Sequence, residues 1–307
     1  MGGGGGGGYF PSNPEKLKRL IQEARGTEAQ QRLEIKINEL LQASLATFNE
    51  RNTEKIQDHL EKVGQILGKE FEVDQFRFGG SVAKHTYVDG LSDIDALVIL
   101  DRRDIVGESP KEVVDSFHDL LSKRLTSDDV ADVEKGRMAV TVTYRDGTEI
   151  QLLPAVRNGS RVAIPNPHKN DWKETNPKAF QKELTRANER LNGRLVPSIK
   201  LVKSIIANLP EQKRLSGYHT EALCLEGMTG YRGANTVKDL VLHALDYSAR
   251  RVLRPMGDIT GQSRAIDSDL GKPNSVERRV VADALAGVVR RLKAATTVDE
   301  WKGILDV

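Results

Sequence analysis

The 307-residue chain has a single cysteine, Cys224, so no disulfide framework can staple it. That usage suits a reducing compartment, and a cytoplasmic protein is expected. Cys224 stands in the apolar helical pattern "ALCLEGM" and reads as a core residue rather than a nucleophile. No apolar run is long enough to cross a bilayer, so no membrane contact is expected. The N-terminus lacks the basic and apolar regions of a signal peptide. The net charge is only +2, which excludes the broad positive field of a strong duplex-DNA binder and makes any nucleotide contact local. The six histidines show no metal-ligand spacing. With 29% charged and 38% hydrophobic residues, the composition is that of an ordinary soluble protein with room for two modest domains or one large one.

What is present is unevenly distributed. Gly2 to Gly8 form an unbroken glycine run that cannot hold a stable element, so residues 1–12 read as a flexible arm. Asn13-Pro14 reads as a helix start, and Leu33, Ile37, Leu40, Leu41, Leu45 and Phe48 follow helical spacing. A second helical face runs through Ile56, Leu60, Val63 and Leu67. Segments 71–78 and 96–100 read as strands, 113–125 as a helix, and 138–144 with 149–153 as a hairpin about Asp146-Gly147. Segment 161–164 is a further strand candidate. Segment 166–176 reads as a connection, after which helical patterns dominate: 177–193, 196–208, 217–228, 236–250 and 275–295. The fold class is therefore α+β. A mixed-sheet core over 13–175, preceded by long helices, is followed by a helical lobe over 176–307.

The chemistry concentrates in "FGGSVAKHTYVDGLSDIDALVIL", residues 78–100. Asp93 and Asp95 lie two apart at the start of an apolar strand, so both carboxylates point to one face. Neighbouring carboxylates repel each other and lose hydration, and a divalent metal offsets both costs. Upstream, Gly80 lets the backbone approach a phosphate closely, helix-start amides favour negative charge, and Ser81 adds a hydroxyl donor. These parts would hold a nucleoside triphosphate: Gly80 and Ser81 on the phosphates, and Mg²⁺ (or Mn²⁺) bridging them to Asp93 and Asp95. Two ions, roughly 3.5–4 Å apart, would serve an attacking hydroxyl and the leaving pyrophosphate.

Gly80-Ser81 followed by Asp93-Ile94-Asp95 resembles the signature of the polymerase-β-type nucleotidyltransferase superfamily. The segments "EIQLLPAV", "IPNPHKNDWKETNP", "PSIKLVKSI", "LSGYHTEAL" and "DITGQSRAIDSDLG" extend the likeness over most of the chain. They make it similar to the bacterial relatives of cyclic-GMP-AMP synthase, the oligonucleotide synthases of antiphage defence. The resemblance implies a bilobal molecule with a central cleft, and nucleotide contacts by Lys203, Ser216 and Tyr218: the lysine and the serine on phosphate, the tyrosine ring on the base. It also implies a downstream effector protein that responds to the nucleotide product. His219 carries no assigned role, and Asp258 and Asp267 read as helix caps in a loop.

The sequence departs from that superfamily at one point. Its usual third acid, three residues before a proline, is here Gln151, which can coordinate through its carbonyl but cannot act as a base. Glu149 lies two residues earlier on the same strand face and is the candidate substitute, both as third metal ligand and as catalytic carboxylate. The expected reaction transfers a nucleotidyl group to the 3′- or 2′-hydroxyl of a second nucleotide, giving a linear or cyclic oligonucleotide. Three alternatives stand beside it. The first is a template-independent polymerase of the Hailong type, primed by Tyr9 at the end of the glycine arm, although Tyr9-Phe10 reads more simply as an anchor on the helical lobe. The second is a nucleotide-binding regulatory module without turnover, and the third a small-molecule modifying enzyme.

Overall fold

The computed structural model describes residues 14–48, 53–78, 80–86, 88, 94–101, 103, 105–158, 161–166, 169–261 and 265–305. The glycine arm with Tyr9, the proposed cap Asn13, and Asp93 lie outside these described residues.

Seven strands make one mixed sheet: β1 (Val73–Phe78), β2 (Ile94–Leu100), β3 (Val130–Lys135), β4 (Val140–Tyr144), β5 (Glu149–Asn158), β6 (Arg161–Pro165) and β7 (Trp172–Thr175). The order is β1-β2-β5-β4-β3, with β6 on β5 and β7 on β6. Among the described residues only β2 and β5 pair in parallel. Alternation decides which side chains enter the core. Ile94, Ala96, Val98 and Leu100 of β2, Ile150 and Leu152 of β5, and Val140, Val142 and Tyr144 of β4 all turn to one face. There they meet Ile56, Val63 and Leu67 of α2 (Thr53–Leu67) and Val113, Phe117 and Leu121 of α4 (Pro110–Arg124). Each valine, leucine, isoleucine and phenylalanine among them contributes about 1.5–3 kcal/mol by leaving water. A capping box starts α4: Ser109 N–H donates to Glu112 Oε2 at 2.7 Å, and Ser109 Oγ accepts from Glu112 N–H. Pro154 sits inside central strand β5, where a missing N–H is normally costly. It falls between the last β4 partner at Leu152 and the first β6 partner at Val156, where that edge of β5 needs no donor.

The remaining helices are α1 (Pro14–Thr47), α3 (Gly80–Ala83), α5 (Pro177–Arg190), α6 (Leu195–Ala207), α7 (Gly217–Gly227), α8 (Val237–Arg251), α9 (Val276–Ala294) and α10 (Val298–Leu305). Helices α5 to α10 surround a second apolar core that includes Leu201, Val202, Leu223, Cys224, Leu245, Leu285 and Trp301. Burial pushes the Cys224 thiol up to about 12, so it is a neutral core group. The apolar stripe of α1 is spaced as expected, but its partner is the helical half: Ile37, Leu41, Leu45 and Phe48 join that core. Three elements escape the sequence pattern. Strand β3 has only Val130 and Val133 to offer at the sheet edge, and β7 lies in the polar segment read as a connection. Helix α10 is short, although its start is marked by Thr297 and Glu300, whose side chains satisfy each other's backbone N–H groups.

One packing feature makes stability depend on pH. His59 is buried and stacks on Tyr144 with ring centroids 3.6 Å apart. Neither of its ring nitrogens has a hydrogen-bond partner among the described residues. Burial lowers its pKa, outweighing the opposing pull of Asp146, whose Oδ2 is 3.9 Å from Nε2. Burial also lowers the pKa of His219, against the pull of Asp267. Both imidazoles bind protons less readily folded than unfolded. Stability is therefore full above the unfolded value of about 6.5 and is lost as pH falls below it. The melting temperature should drop between about pH 7 and about pH 5. His59→Phe keeps the stack without orphaned nitrogens, so it should flatten part of that slope; thermal melts across the range check this, and an unchanged slope would assign it to other groups.

Candidate functional site

The strand alternation that buries Ile94 and Ile150 turns their neighbours to the opposite face. Asp95 of β2 stands in register with Gln151 of β5, and Gln151 in register with Thr141 of β4. Glu149, paired with Thr143, lies on the same face two residues nearer the start of β5. Asp95 and Gln151 are half-buried and Glu149 is exposed. Further along, this face turns apolar through Leu97, Ile99 and Ala155. On β2 and β5 the carboxylates of this face thus lie at the strand starts, and the polar row continues through Thr141 of β4 to Glu134 of β3. Its donors are all oxygens, a set suited to a hard cation such as Mg²⁺ or Mn²⁺. Among the described residues no three His, Cys, Asp or Glu groups come together to hold a metal. Asp93 is outside that set; among the described residues, Asp95 and Glu149 are the carboxylates of β2 and β5 on this face, and Asp132 and Glu134 of edge strand β3 share it through their register with Thr143 and Thr141.

Helix α3 packs against β2 on one side and α7 on the other, so it bridges the sheet and the helical half. It begins at Gly80, where a helix start was expected. Ser81 is buried, and its Oγ has no hydrogen-bond partner among the described residues. The turn after α3 closes with Thr86 N–H donating to Ser81 O at 2.9 Å.

That turn delivers Lys84 to a carboxylate from the other half of the molecule. Glu221 of α7 is 1% exposed, and its two oxygens are divided between two lysines. Oε2 accepts from Lys84 Nζ, while Oε1 accepts from Lys203 Nζ at 2.6 Å and from Thr86 Oγ1. Lys203 also donates to Thr86 O at 3.1 Å. Burial pushes the Glu221 pKa up, but the charges and hydrogen bonds of Lys203 and Lys84 outweigh it and leave it below the ordinary range. A Cβ added at Gly217 would stand 3.5 Å from Lys203 Nζ, so the ammonium lies beside the first turn of α7. Lys203, expected to reach phosphate, is buried and engaged in this cluster. Lys84, Thr86 and Glu221 are members that the sequence reading missed. Glu221 did leave a signal, as a charge inside a helix whose neighbours Thr220, Ala222, Leu223 and Cys224 are all buried.

Tyr218 borders the same cluster. Lys84 Nζ lies 4.9 Å from the Tyr218 ring centroid and 5.1 Å from that of Phe180 in α5. The two rings are themselves 5.1 Å apart. Tyr218 OH donates to Asp258 Oδ2 at 3.0 Å, and burial together with this acid raises the phenol pKa well above its usual value. Ser216 caps α7 by accepting from His219 N–H at 3.2 Å, and it stays exposed. Of the two expected helix caps, Asp267 does stand at the N-cap position of a 3-10 turn, Ser268–Leu270, but its side chain makes no capping bond there, and Asp258 lies in the loop after α8. Asp258 also accepts from Thr260 N–H at 2.7 Å, folding the loop after α8 back toward Tyr218. Asp267 is fully buried, bound to Arg278 Nη1 at 2.6 Å and to Met256 N–H at 3.2 Å. This pair anchors the far end of the loop in the helical core.

Comparison with known proteins places these features. The model of the Second Messenger Oligonucleotide or Dinucleotide Synthetase domain matches residues 34–188, half of the chain. A cyclic AMP-AMP-AMP synthase from Acinetobacter sp. is 27% identical over 143 residues, which cover 45% of this chain and 39% of that protein. The chain thus aligns with well under half the length of that curated relative. Among solved structures, Bradyrhizobium diazoefficiens CdnG in complex with GTP superposes with a TM-score of 0.63 at 14% identity, covering 84% of this chain and 91% of that one. The STING-associated CdnE c-di-GMP synthase of Capnocytophaga granulosa gives 0.60 at 17% identity, covering 92% and 95%. At these identities the structural matches establish the fold: a mixed-sheet nucleotidyltransferase core with a helical half. Asp95, Glu149, Gln151, Gly80 and Ser81 fall inside the matched domain; Lys203, Ser216, Tyr218 and Glu221 fall beyond it.

Tyr218→Phe removes one hydrogen bond to a charged partner while keeping the ring. It should cost about 1.5–3 kcal/mol in chemical denaturation. Hydrogen exchange should rise selectively in the loop from Met256 to Gly261, and unaltered exchange there would show that Asp258 is held by other contacts.

Proposed function

The chain belongs to the Second Messenger Oligonucleotide or Dinucleotide Synthetase family, whose members are nucleotidyltransferases, and from that premise we propose that it joins nucleoside triphosphates into a small linear or cyclic oligonucleotide signal. The observation that carries this reading is the Asp95–Gln151 register at the polar start of the parallel pair, beside a helix whose buried Ser81 hydroxyl lacks a partner among the described residues. The hydroxyl oxygen of one nucleotide bonds to the α-phosphorus of another, the bond to the β-phosphate bridging oxygen breaks, and pyrophosphate leaves.

Each residue has a role in that reading. Asp93 and Asp95, with Glu149, would hold the divalent ions, Mg²⁺ or Mn²⁺; when bound, such ions activate the hydroxyl and neutralise charge on the phosphates. Gly80 gives the phosphates close access to the backbone, and the Ser81 hydroxyl donates to a phosphate oxygen. Lys203 has three ammonium hydrogens, two of them used by Glu221 and Thr86 O, and the third is directed to phosphate. Ser216 offers its exposed hydroxyl to the same group. The Tyr218 ring stacks on the base. Gln151 orients ligands through its carboxamide but cannot take a proton, so Glu149 accepts it from the attacking hydroxyl. The catalytic unit is the sheet half, and the helical half from about residue 176 closes the cleft. No described helix is long and apolar enough to cross a membrane. The product would act in the cytoplasm on an effector protein of antiphage defence. A regulatory module without turnover is the second reading, favoured by Gln151 standing where an acid would face Asp95. Tyr9-primed polymerisation of deoxynucleotides rests on residues outside the described ones.

Incubation with each labelled NTP and dNTP plus Mg²⁺ or Mn²⁺ tests these readings. Small phosphatase-resistant products are expected and would identify a cyclic signal; label retained on the protein and lost in Tyr9→Phe would instead identify priming. Asp95→Asn should abolish pyrophosphate release. Glu149→Ala should lower it by about a hundredfold or more, the usual contribution of a general base. Gln151→Asp should leave it unchanged or raise it. Nucleotide binding with no pyrophosphate release under any condition would leave the regulatory reading.

A further inference from the structure

Glu221 is a nearly inaccessible carboxylate at the seam between sheet and helices, and nucleotidyl transfer as proposed leaves it without a role. Its environment is unusually explicit. One oxygen takes Lys84 from the turn after α3, the other takes Lys203 from α6 and the Thr86 hydroxyl. Among the described residues, two ammonium groups and one carboxylate leave one net positive charge in this buried seam. The start of α7, eleven residues long, adds partial positive charge beside Lys203 Nζ. The Ser81 hydroxyl, without a partner among the described residues, lies one short helix away from Lys84. A protein gains nothing by leaving such a charge excess uncompensated in the fold alone; an anion completes it.

We propose that Glu221 is a positioning residue for nucleotide binding: it fixes Lys84 and Lys203 as one unit that meets the triphosphate, and Lys84 is a phosphate-binding residue alongside Lys203. The inference rests on the nucleotidyltransferase reading for what the anion is. Glu221 balances one of the two ammonium charges, and the other remains for phosphate. It also ties α3, which carries Ser81, to α7, which carries Tyr218. Lys84 reaches both partners at once, because its ammonium bonds Glu221 and lies over the Tyr218 and Phe180 rings. On its own helix Cys224 is neutral, its thiol pushed up to about 12, as are Tyr218, whose pKa burial raises, and His219, whose pKa burial lowers, while Glu226 pairs with Arg251. Asp258 is turned to the Tyr218 hydroxyl on the far side of the ring.

The test is the pH profile of nucleotide affinity. In Glu221→Gln two ammonium groups face each other without a counter-charge, and like charges promote loss of a proton. Binding of α,β-methylene analogues of ATP and GTP to the full chain is measured by calorimetry from about pH 7.5 to about pH 9.5, above the last phosphate ionisation. Wild type and Glu221→Asp should show nearly flat, parallel profiles. Glu221→Gln should lose affinity as pH rises, by as much as about tenfold per pH unit for one linked proton. The nucleotide KM should follow the same pH profile. A Glu221→Gln profile parallel to wild type, even at weaker affinity throughout, would reduce Glu221 to packing and overturn the proposal. Should Glu221→Gln not fold, the double variant Lys84→Met/Glu221→Gln removes one charge of each sign. It should bind the analogue more weakly than wild type with a flat profile, and wild-type affinity in that variant would overturn the proposal equally. Wild type that binds the analogue but releases no pyrophosphate would defeat the synthase reading and leave the affinity profiles to decide the role of Glu221. Absence of any analogue binding by wild type would defeat both.

Discussion

The contact on which the site depends is the division of one buried carboxylate between two lysines. Glu221, Lys84 and Lys203 come from three elements, and two of those elements belong to the helical half while the third leans on β2. Taking three charges out of water costs several kcal/mol per ion, and only close geometry and additional hydrogen bonds offset it. Thr86 supplies both, through its hydroxyl to Glu221 and its carbonyl to Lys203. Loss of Glu221 would leave two ammonium groups facing each other without a counter-charge, whereas loss of either lysine would leave a neutral pair. The position of α3, and with it the orientation of Ser81, follows from that arrangement.

The sheet supplies the other half of the geometry through a simpler rule. Parallel pairing of β2 and β5 puts Asp95 beside Gln151, and the period of two sends both away from the core that holds Ile94 and Ile150. A shift of one residue in that register would bury the carboxylate and expose the isoleucines, at a cost no local interaction could offset. Precision at the polar row is thus a by-product of hydrophobic burial on the opposite face. The apolar continuation of this face, with Leu97, Ile99 and Ala155 buried, sets the carboxylates of β2 and β5 at one end.

Strands and helices with strong periodicity are legible from residue order. Ile56, Val63 and Leu67 do line one face of α2, and the hairpin about Asp146-Gly147 forms between β4 and β5. The strands β3 and β7 are not legible in this way, because edge strands with few apolar residues draw their hydrogen bonds from neighbouring strands. The stripe of α1 is visible, but its partner is not: an amphipathic face records that something covers it and not what does. Tyr218 stands out in its segment, whereas its bond to Asp258 depends on a loop forty residues later, returned to the core by Arg278 and Asp267.

Sequence alone determined the pairing of chemical types with elements: an acid at the start of β2, glutamine with a nearby glutamate on β5, a serine at the start of α3, a lysine on α6 and a tyrosine on α7. Spacing of two along a strand and of three to four along a helix carries that information, since both periods are properties of the local backbone. Only the tertiary structure decided which charges neutralise which. Lys84 and Glu221 are far apart in the chain, and their contact is set by the docking of α3 between β2 and α7. Electrostatic partnership depends on distance and burial, and neither is written in the order of residues.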